Sequence, residues 1–241
     1  MIQSALKFLI SLGTPTFKQV EGREYHCSAF GGMTLIQKPA IRPFAIHTLT
    51  GLVQYIKDQT EGDLTEGGFF VHVLNHKHVD LLSDLNKNLS SREQYLSVDA
   101  PEFEGFPFGR FLDLETFIIQ LQAKFVQDVN SEGILKLVSN IKDENVMTAQ
   151  DDGISQMVTV RNGPALVESV RVPNPVTLRP FRTFREVEQP ASPFVFRLRG
   201  GQGEPTAALF EADGGQWKLT AIETVADYLV NELGDTVSVV A

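Results

Sequence analysis

The stretch FVFRLRGGQGEPTAALFEADGGQWKLTAIETVADYLVNEL, residues 194–233, decides the fold class of this 241-residue chain. Its first part alternates apolar and other residues with a period of two, which is typical of strands with one buried face. The loop GGQGEP separates FVFRLR from TAALFEA and predicts an antiparallel hairpin. From Ile222 onward the apolar spacing becomes that of a helix. The sequence therefore predicts a sheet with a helix packed on one face.

Two more hairpins are predicted around this one. ISQMVTV and ALVESVRV flank the turn RNGP, in which an Asn-Gly pair supplies the positive φ angles of a tight hairpin. ALFEA and QWKLTAI flank DGG, and Asp-Gly pairs are typical of turns. Together these segments predict a meander of five or six strands, and the tail TVSVV is expected to form a final edge strand.

Residues 1–145 predict a mixture of helices and strands. Helices are expected over 48–58, 113–125 and about 131–141, where apolar residues recur at helical spacing. Thr48 and Asp113 are expected to cap the first two of these helices. The segments FFVHVL, HVDLLSD and REQYLSV between them predict strands.

The N-terminal stretch MIQSALKFLISLG also predicts a helix rather than a secretory signal. Ile2, Ala5, Leu6 and Leu9 share one face, and Lys7 is the only cation, so a basic leader region is missing.

The predicted class is α+β: an antiparallel β meander with a packed C-terminal helix, plus a mixed α/β N-terminal half. The polar stretch DENVMTAQDDG separates a mixed half, 1–145, from a β-rich half, 146–241. The two halves are expected to share one core or a tight interface, so one continuous domain remains an alternative.

Composition restricts the functional classes. The chain has no apolar run of 18 residues, so no membrane helix is expected. Cys27 is the only cysteine, which excludes an internal disulfide and a thiolate zinc site. No cofactor is expected, and the bacterial cytoplasm is the predicted compartment.

Three of the five histidines lie in VHVLNHKHVD, residues 71–80. A two-residue turn would place His72 and His78 on opposite faces of a hairpin. A three-residue loop would pair His72 with Asp80 and put both imidazoles on one face, still one ligand short of a usual zinc site. The sequence favours a polar turn without metal, and it contains no nucleophile motif that indicates an enzyme.

Arginine is concentrated in residues 161–199, which hold seven of the chain's eleven arginines, three glutamates and no lysine. The segment is +4 and the remainder −13, within a total of −9. Phenylalanines are interleaved with these arginines. Guanidinium groups beside aromatic rings are what single-stranded nucleic acid needs for its phosphates and bases. The candidate binding residues are Arg179, Arg182, Arg185, Arg197, Arg199, Phe181 and Phe184.

A second interpretation of this segment remains open. Alternation in FVFRLR puts Phe194, Phe196 and Leu198 on one face and Arg197 and Arg199 on the other. The phenylalanines would then be core residues. The arginines would pair with the acidic surface of a neighbouring subunit, since arginine is enriched at interfaces.

The motifs PFRTFREVEQP, FVFR and LFEADGGQW give the chain a family resemblance over about 150–235. It resembles proteins encoded by phages and prophages, mainly of Gram-positive hosts, and more loosely the YfdQ-like prophage family. The resemblance implies a phage or prophage origin, in gene regions that often carry recombination and single-strand-binding genes. It assigns no residue a role.

These observations predict a non-enzymatic phage accessory protein that acts by binding, as a homo-oligomer. Its expected partners are single-stranded nucleic acid during replication or recombination, or a host or phage protein, including a host defence protein. A self-assembling structural phage protein and a metal-dependent hydrolase are the alternatives.

Overall fold

A computed structural model describes most of the chain and confirms the α+β class. The described residues are 2–13, 16–21, 23–27, 32–36, 42–59, 68–85, 91–102, 104–142, 147–151, 156–162, 166–171, 174–200 and 204–241. Within these ranges, no helix has both the length and the apolar character needed to cross a membrane.

The described elements are five α-helices and fifteen strands. The helices are α1 (Ile2–Gly13), α2 (Leu49–Lys57), α3 (Leu114–Lys124), α4 (Val129–Lys142) and α5 (Trp217–Leu233). The first eight strands are β1 (Thr16–Val20), β2 (Arg23–Cys27), β3 (Met33–Leu35), β4 (Phe44–Ile46), β5 (Phe69–Asn75), β6 (His78–Ser83), β7 (Gln94–Asp99) and β8 (Leu112–Asp113). The others are β9 (Met147–Asp151), β10 (Gln156–Asn162), β11 (Leu166–Arg171), β12 (Val176–Leu178), β13 (Ser192–Arg199), β14 (Thr206–Glu211) and β15 (Ser238–Val240).

Four sheets connect these strands. A five-stranded sheet has the order β15-β5-β6-β7-β4, and a four-stranded sheet has the order β12-β13-β14-β8. Strands β1-β2-β3 and β11-β10-β9 form two three-stranded antiparallel sheets. The tail strand β15 is an edge strand, as the sequence predicts, and it lies parallel to β5 in the five-stranded sheet.

The four-stranded sheet packs one face against α3 and α4. Phe194, Phe196 and Leu198 of β13 point toward the helices and are at most 2% exposed. They meet the buried stripes of the helices, of which Phe117 and Ile134 are 0% exposed. The alternation predicted for FVFRLR is therefore confirmed, and we call this cluster core 1.

The five-stranded sheet packs one face against α2 and α5. The alternate residues Val71, Val79 and Leu81 of its central hairpin are fully buried under the helices. From α5, Val225 and Leu229 complete the cluster. The predicted C-terminal helix is therefore present, but it packs on the five-stranded sheet and not on the sheet of β13 and β14. We call this cluster core 2.

Both cores combine residues from either side of position 145. Core 1 contains side chains from 106–141 and from 176–209, whereas core 2 contains side chains from 49–100 and from 184–237. Each core thus needs both parts of the chain. In core 1 the strands of the second part pack against α3 and α4 of the first, and in core 2 the strands of the first part pack against α2 and against α5 of the second.

The third predicted hairpin is wrong, because QWKLTAI begins α5 instead of a strand. The Asp213 carboxylate accepts hydrogen bonds from the backbone N–H groups of Gly215 and Trp217 and so satisfies donors at the helix start. Gly214 and Gly215 have φ angles of 61° and 88°, which favour glycine. The DGG turn therefore leads from β14 into a helix.

The other local predictions are confirmed where the structure describes them. The hydroxyl of Thr48 accepts from the N–H of Gly51, and the carboxylate of Asp113 accepts from the N–H of Thr116, so both predicted N-caps are present. Hairpins β10–β11 and β13–β14 pair antiparallel as expected. They lie in two separate sheets, however, and not in one meander of five or six strands.

The β5–β6 hairpin combines features of both predicted histidine registers. Asn75 pairs with His78, which leaves a two-residue turn. The register then shifts beyond Val73, so that His72 pairs with Asp80. Because side chains alternate along a strand, His72, His78 and Asp80 lie on the same face of the sheet, turned away from core 2.

Candidate nucleic-acid interface

The motif PFRTFREVEQP lies in the segment 179–191, which we call the junction loop because it joins the two cores. Gln189 holds the loop together from inside. Its side-chain oxygen accepts from the N–H groups of Arg182 and Thr183, and its amide nitrogen donates to the carbonyl of Phe184. Gln189 is only 5% exposed, so these bonds replace the water that a surface loop would use.

Arg182, which the sequence places in the binding site, lies inside the protein. It is 7% exposed, and its guanidinium donates to the Glu211 carboxylate at 2.8 Å and to the Ser192 hydroxyl at 2.6 Å. The guanidinium carbon lies 4.3 Å from the centre of the Trp217 ring and 5.2 Å from that of Phe194. Arg182 therefore ties core 1 to the start of α5.

Burial affects the charge of Arg182. Loss of solvation lowers the pKa of its guanidinium to about 10, although the nearby carboxylates of Glu211 and Asp213 raise it. The group stays protonated at neutral pH, with its charge already partnered. It is a structural cation, and a phosphate outside the protein cannot reach it.

Phe184 is also an interior residue, fully buried in core 2. Around it, the junction loop bonds to neighbouring elements. The Glu186 carboxylate accepts from the N–H of Leu49 at the start of α2, where a negative charge is favourable. The Thr183 hydroxyl donates to the carbonyl of His76 in the β5–β6 turn. The motif PFRTFREVEQP thus has a mainly structural role, because its central residues pack inside the protein.

Three of the seven predicted site residues lie on the outer rim of the junction loop. Arg179 forms an ion pair with Glu188, in which the arginine side chain is 39% and the glutamate side chain 68% exposed. Arg185 is exposed, with its guanidinium carbon 4.0 Å from the centre of the Phe181 ring. This arginine–phenylalanine pair lies beside β12, at the end of the four-stranded sheet where β13 begins.

The other two predicted arginines lie on the four-stranded sheet, on the face turned away from α3 and α4. Arg199 is exposed and Arg197 is half-buried. The guanidinium carbon of Arg199 lies 3.7 Å from the centre of the Phe111 ring, and the Phe111 and Phe210 rings are 6.0 Å apart. Ala208, which pairs with Arg197, is fully buried beneath these larger side chains. We call Phe111, Arg197, Arg199 and Phe210 the arginine–phenylalanine face.

Sequence reasoning missed Phe111 and Phe210. Phe210 has a readable signal, because alternation in TAALFE puts it opposite Leu209, and pairing with β13 brings it to the arginines. Phe111 has no such signal. It precedes a two-residue strand that joins the sheet only through Thr206 and Ala207, a pairing between distant parts of the chain.

The face of the five-stranded sheet that is turned away from α2 and α5 carries a histidine between two carboxylates. His78 contacts Asp99 through Nδ1 at 2.6 Å and Asp80 through Nε2 at 2.9 Å, and Gln94 donates to the same Asp80 oxygen. Burial opposes a charge on the imidazole, but bonding to Asp99 and the charges of both carboxylates raise the pKa of His78 above 6.5. In the described residues, no three histidine, cysteine or acidic side chains are arranged to hold a metal ion.

The chain is thus an α+β protein with a net charge of −9. Its four-stranded sheet carries a surface of arginine and phenylalanine side chains. No family model, curated protein or solved structure matches the chain. The prophage resemblance therefore stays a prediction.

Proposed function

We propose that this protein binds single-stranded nucleic acid on the arginine–phenylalanine face. The observation that supports this is the exposed Arg199, whose guanidinium carbon lies 3.7 Å from the centre of the half-buried Phe111 ring. Arginine offers a phosphate its charge and a base its flat surface, and an aromatic ring offers the base a second stacking partner.

The shape of the surface also supports this proposal. Three neighbouring strands, β13, β14 and β8, bring the four side chains onto one face. Because strands lie about 4.8 Å apart, the face is about 10 Å wide. A helix-backed four-stranded sheet with aromatic side chains on the face away from its helices has the size to stack two or three bases.

The negative net charge of the chain restricts binding to the arginine–phenylalanine face. The chain is −9 overall, so distant phosphates are repelled and affinity depends on contacts at the face itself. Such a protein would bind exposed single strands in preference to coating duplex DNA. A role in phage replication or recombination, as a homo-oligomer, belongs to this proposal because it suits the prophage origin that the resemblance implies.

The test is fluorescence anisotropy of a labelled oligothymidine at about 50 mM and about 200 mM salt. The Arg199→Ala variant should bind more weakly, and its log–log salt slope should be smaller by about one than that of the wild type. Arg42→Ala is the matched control, since Arg42 is an exposed arginine beside the five-stranded sheet. No binding at low salt, or equal losses in the two variants, would contradict the proposal.

A further inference from the structure

The β5–β6 turn contacts the start of α5 through the side chain of His76. The centre of its imidazole lies 4.8 Å from that of the Trp217 ring, and the two planes meet at 79°, an edge-to-face arrangement. Trp217 is 9% exposed, and His76 is half-buried beside it. The imidazole is therefore part of what shields the indole from solvent.

Two hydrogen bonds hold the backbone of this turn. The Thr183 hydroxyl of the junction loop donates to the carbonyl of His76, and the N–H of Ala100 donates to the carbonyl of Lys77. Neither bond involves the imidazole. The side chain of His76 can therefore move while the turn remains attached to the junction loop.

The charges that act on the imidazole are positive and come from three elements. Lys77 belongs to the turn itself, Lys218 to α5 and Arg182 to the junction loop. Burial lowers the pKa of His76 below 6.5, and these three charges lower it further. An indole attracts cations, but Arg182 already lies over Trp217, with its guanidinium carbon 4.3 Å from the ring centre. A second charge at this ring would be repelled by the first.

The carboxylates of this region act on other cations: Glu211 and Asp213 on Arg182, and Asp99 on His78. Among the residues that the structure describes, no carboxylate forms an ion pair with His76. A protonated His76 in its present position would thus be a partly desolvated cation among other cations.

We propose that the contact between His76 and Trp217 is a pH-sensitive switch. When a ring nitrogen of His76 takes a proton from solvent, the imidazole leaves the indole and turns toward water, and the start of α5 loses this contact with the β5–β6 turn. The rest of α5 keeps its place, because Val225 and Leu229 lie in core 2. The change is therefore local and occurs without unfolding.

The test uses Trp217 as the probe, because it is the only tryptophan of the chain. Between about pH 8 and about pH 5, its emission maximum should shift to longer wavelength and acrylamide should quench it more strongly. The midpoint should lie below pH 6.5, and the far-UV circular dichroism should stay constant. The inference does not depend on nucleic-acid binding, so the Arg199→Ala variant should titrate like the wild type.

Two variants of His76 separate the charge from the ring. His76→Phe keeps an aromatic ring at the indole without a titratable group, so Trp217 should stay shielded at both pH values. His76→Gln should leave Trp217 more accessible at both. His78→Gln is the matched control, because His78 is a histidine of the same hairpin that contacts Asp80 and Asp99 instead, and this variant should keep the wild-type transition.

An emission maximum that does not change with pH would overturn the proposal, and so would a transition that persists in His76→Phe. Loss of the transition in His78→Gln would assign it to His78 instead. Weaker emission at low pH, without a shift or a gain in acrylamide quenching, would mean that His76 is protonated in place, which also contradicts the proposal. Loss of circular dichroism together with the shift would replace the local change by global unfolding.

Discussion

The four-stranded sheet and the five-stranded sheet each carry two helices on one face. They differ on the other face. On the four-stranded sheet that face presents Arg197, Arg199 and two phenylalanines. On the five-stranded sheet it presents His78 held between Asp80 and Asp99, together with one arginine–phenylalanine pair, Arg92 over the ring of Phe70. The same layering therefore supports different sets of outward side chains. The sheets differ in function through the side chains that lie outside the two cores.

The junction loop explains how arginines in one segment come to have different roles. Arg182 and Arg199 are only seventeen positions apart, yet the first is 7% exposed and the second is on the surface. Arg182 links the four-stranded sheet to Trp217 at the start of α5, whereas Arg199 lies on the outer face of the four-stranded sheet. The comparison of the sheets can be tested at their cores, at their junction and at their free faces.

The largest expected effects come from truncating a buried side chain in each core. Phe196→Ala in core 1 should lower the free energy of unfolding by about 4 kcal/mol, and Leu81→Ala in core 2 by about 3 kcal/mol. Because the junction loop places Phe184 in core 2 and Arg182 against Phe194 of core 1, each variant should still unfold in one transition. The measurement is urea denaturation followed by the fluorescence of Trp217, the only tryptophan, and by far-UV circular dichroism. Transitions that fail to coincide would show that the sheets fold independently.

Arg182→Met should give the next largest effect. It removes a buried cation from Glu211 and Trp217, and we expect a loss of about 3 kcal/mol in unfolding free energy. Affinity for oligothymidine, measured on folded protein, should not change. The control is Arg179→Met, which breaks the exposed pair with Glu188 and should cost less than about 1 kcal/mol. Weaker DNA binding without loss of stability would instead assign Arg182 to the interface.

Many local features of both sheets could be predicted from the sequence. The helix caps at Thr48 and Asp113 depend on neighbouring residues, so their pattern is readable. Alternation around Phe194 and Phe196 correctly separated core from surface in β13. These features follow from interactions between residues close together in the chain.

The errors arose where distant contacts decide the structure. QWKLTAI alternates like a strand, but it begins a helix whose first N–H, that of Trp217, donates to the Asp213 carboxylate. One face of this helix packs on a sheet formed some 140 residues earlier. The junction loop has no period, so nothing in FRTFRE indicates that Arg182 is buried while Arg185 is exposed. Tertiary packing alone makes that distinction.

The smallest expected effect concerns pH on the five-stranded sheet. The pKa of His78 is raised in the folded state, so its stabilising contribution is present below about pH 6.5 and is lost as the pH rises through the folded value. His76 is the opposite case. Burial, together with Lys77, Lys218 and Arg182, lowers its pKa, so the folded state loses stability as the pH falls below about 6.5.

Unfolding free energies at about pH 5.5 and about pH 8 measure this contrast. His78→Gln should lose more stability at the lower pH than at the higher. His76→Gln should show the opposite trend, on top of a constant loss from its ring contact with Trp217. The same pH trend in both variants would contradict the charge environment assigned to His78.

The most direct test of the central claim is to locate bound nucleic acid by photocrosslinking. An oligothymidine carrying 5-iododeoxyuridine would be irradiated with the protein, and the adducts would be mapped by mass spectrometry. Stacking on the four-stranded sheet predicts adducts at Phe111 or Phe210, and loss of the Phe111 adduct in the Phe111→Leu variant. Adducts confined to the five-stranded sheet, or none when the oligonucleotide is bound, would contradict the account.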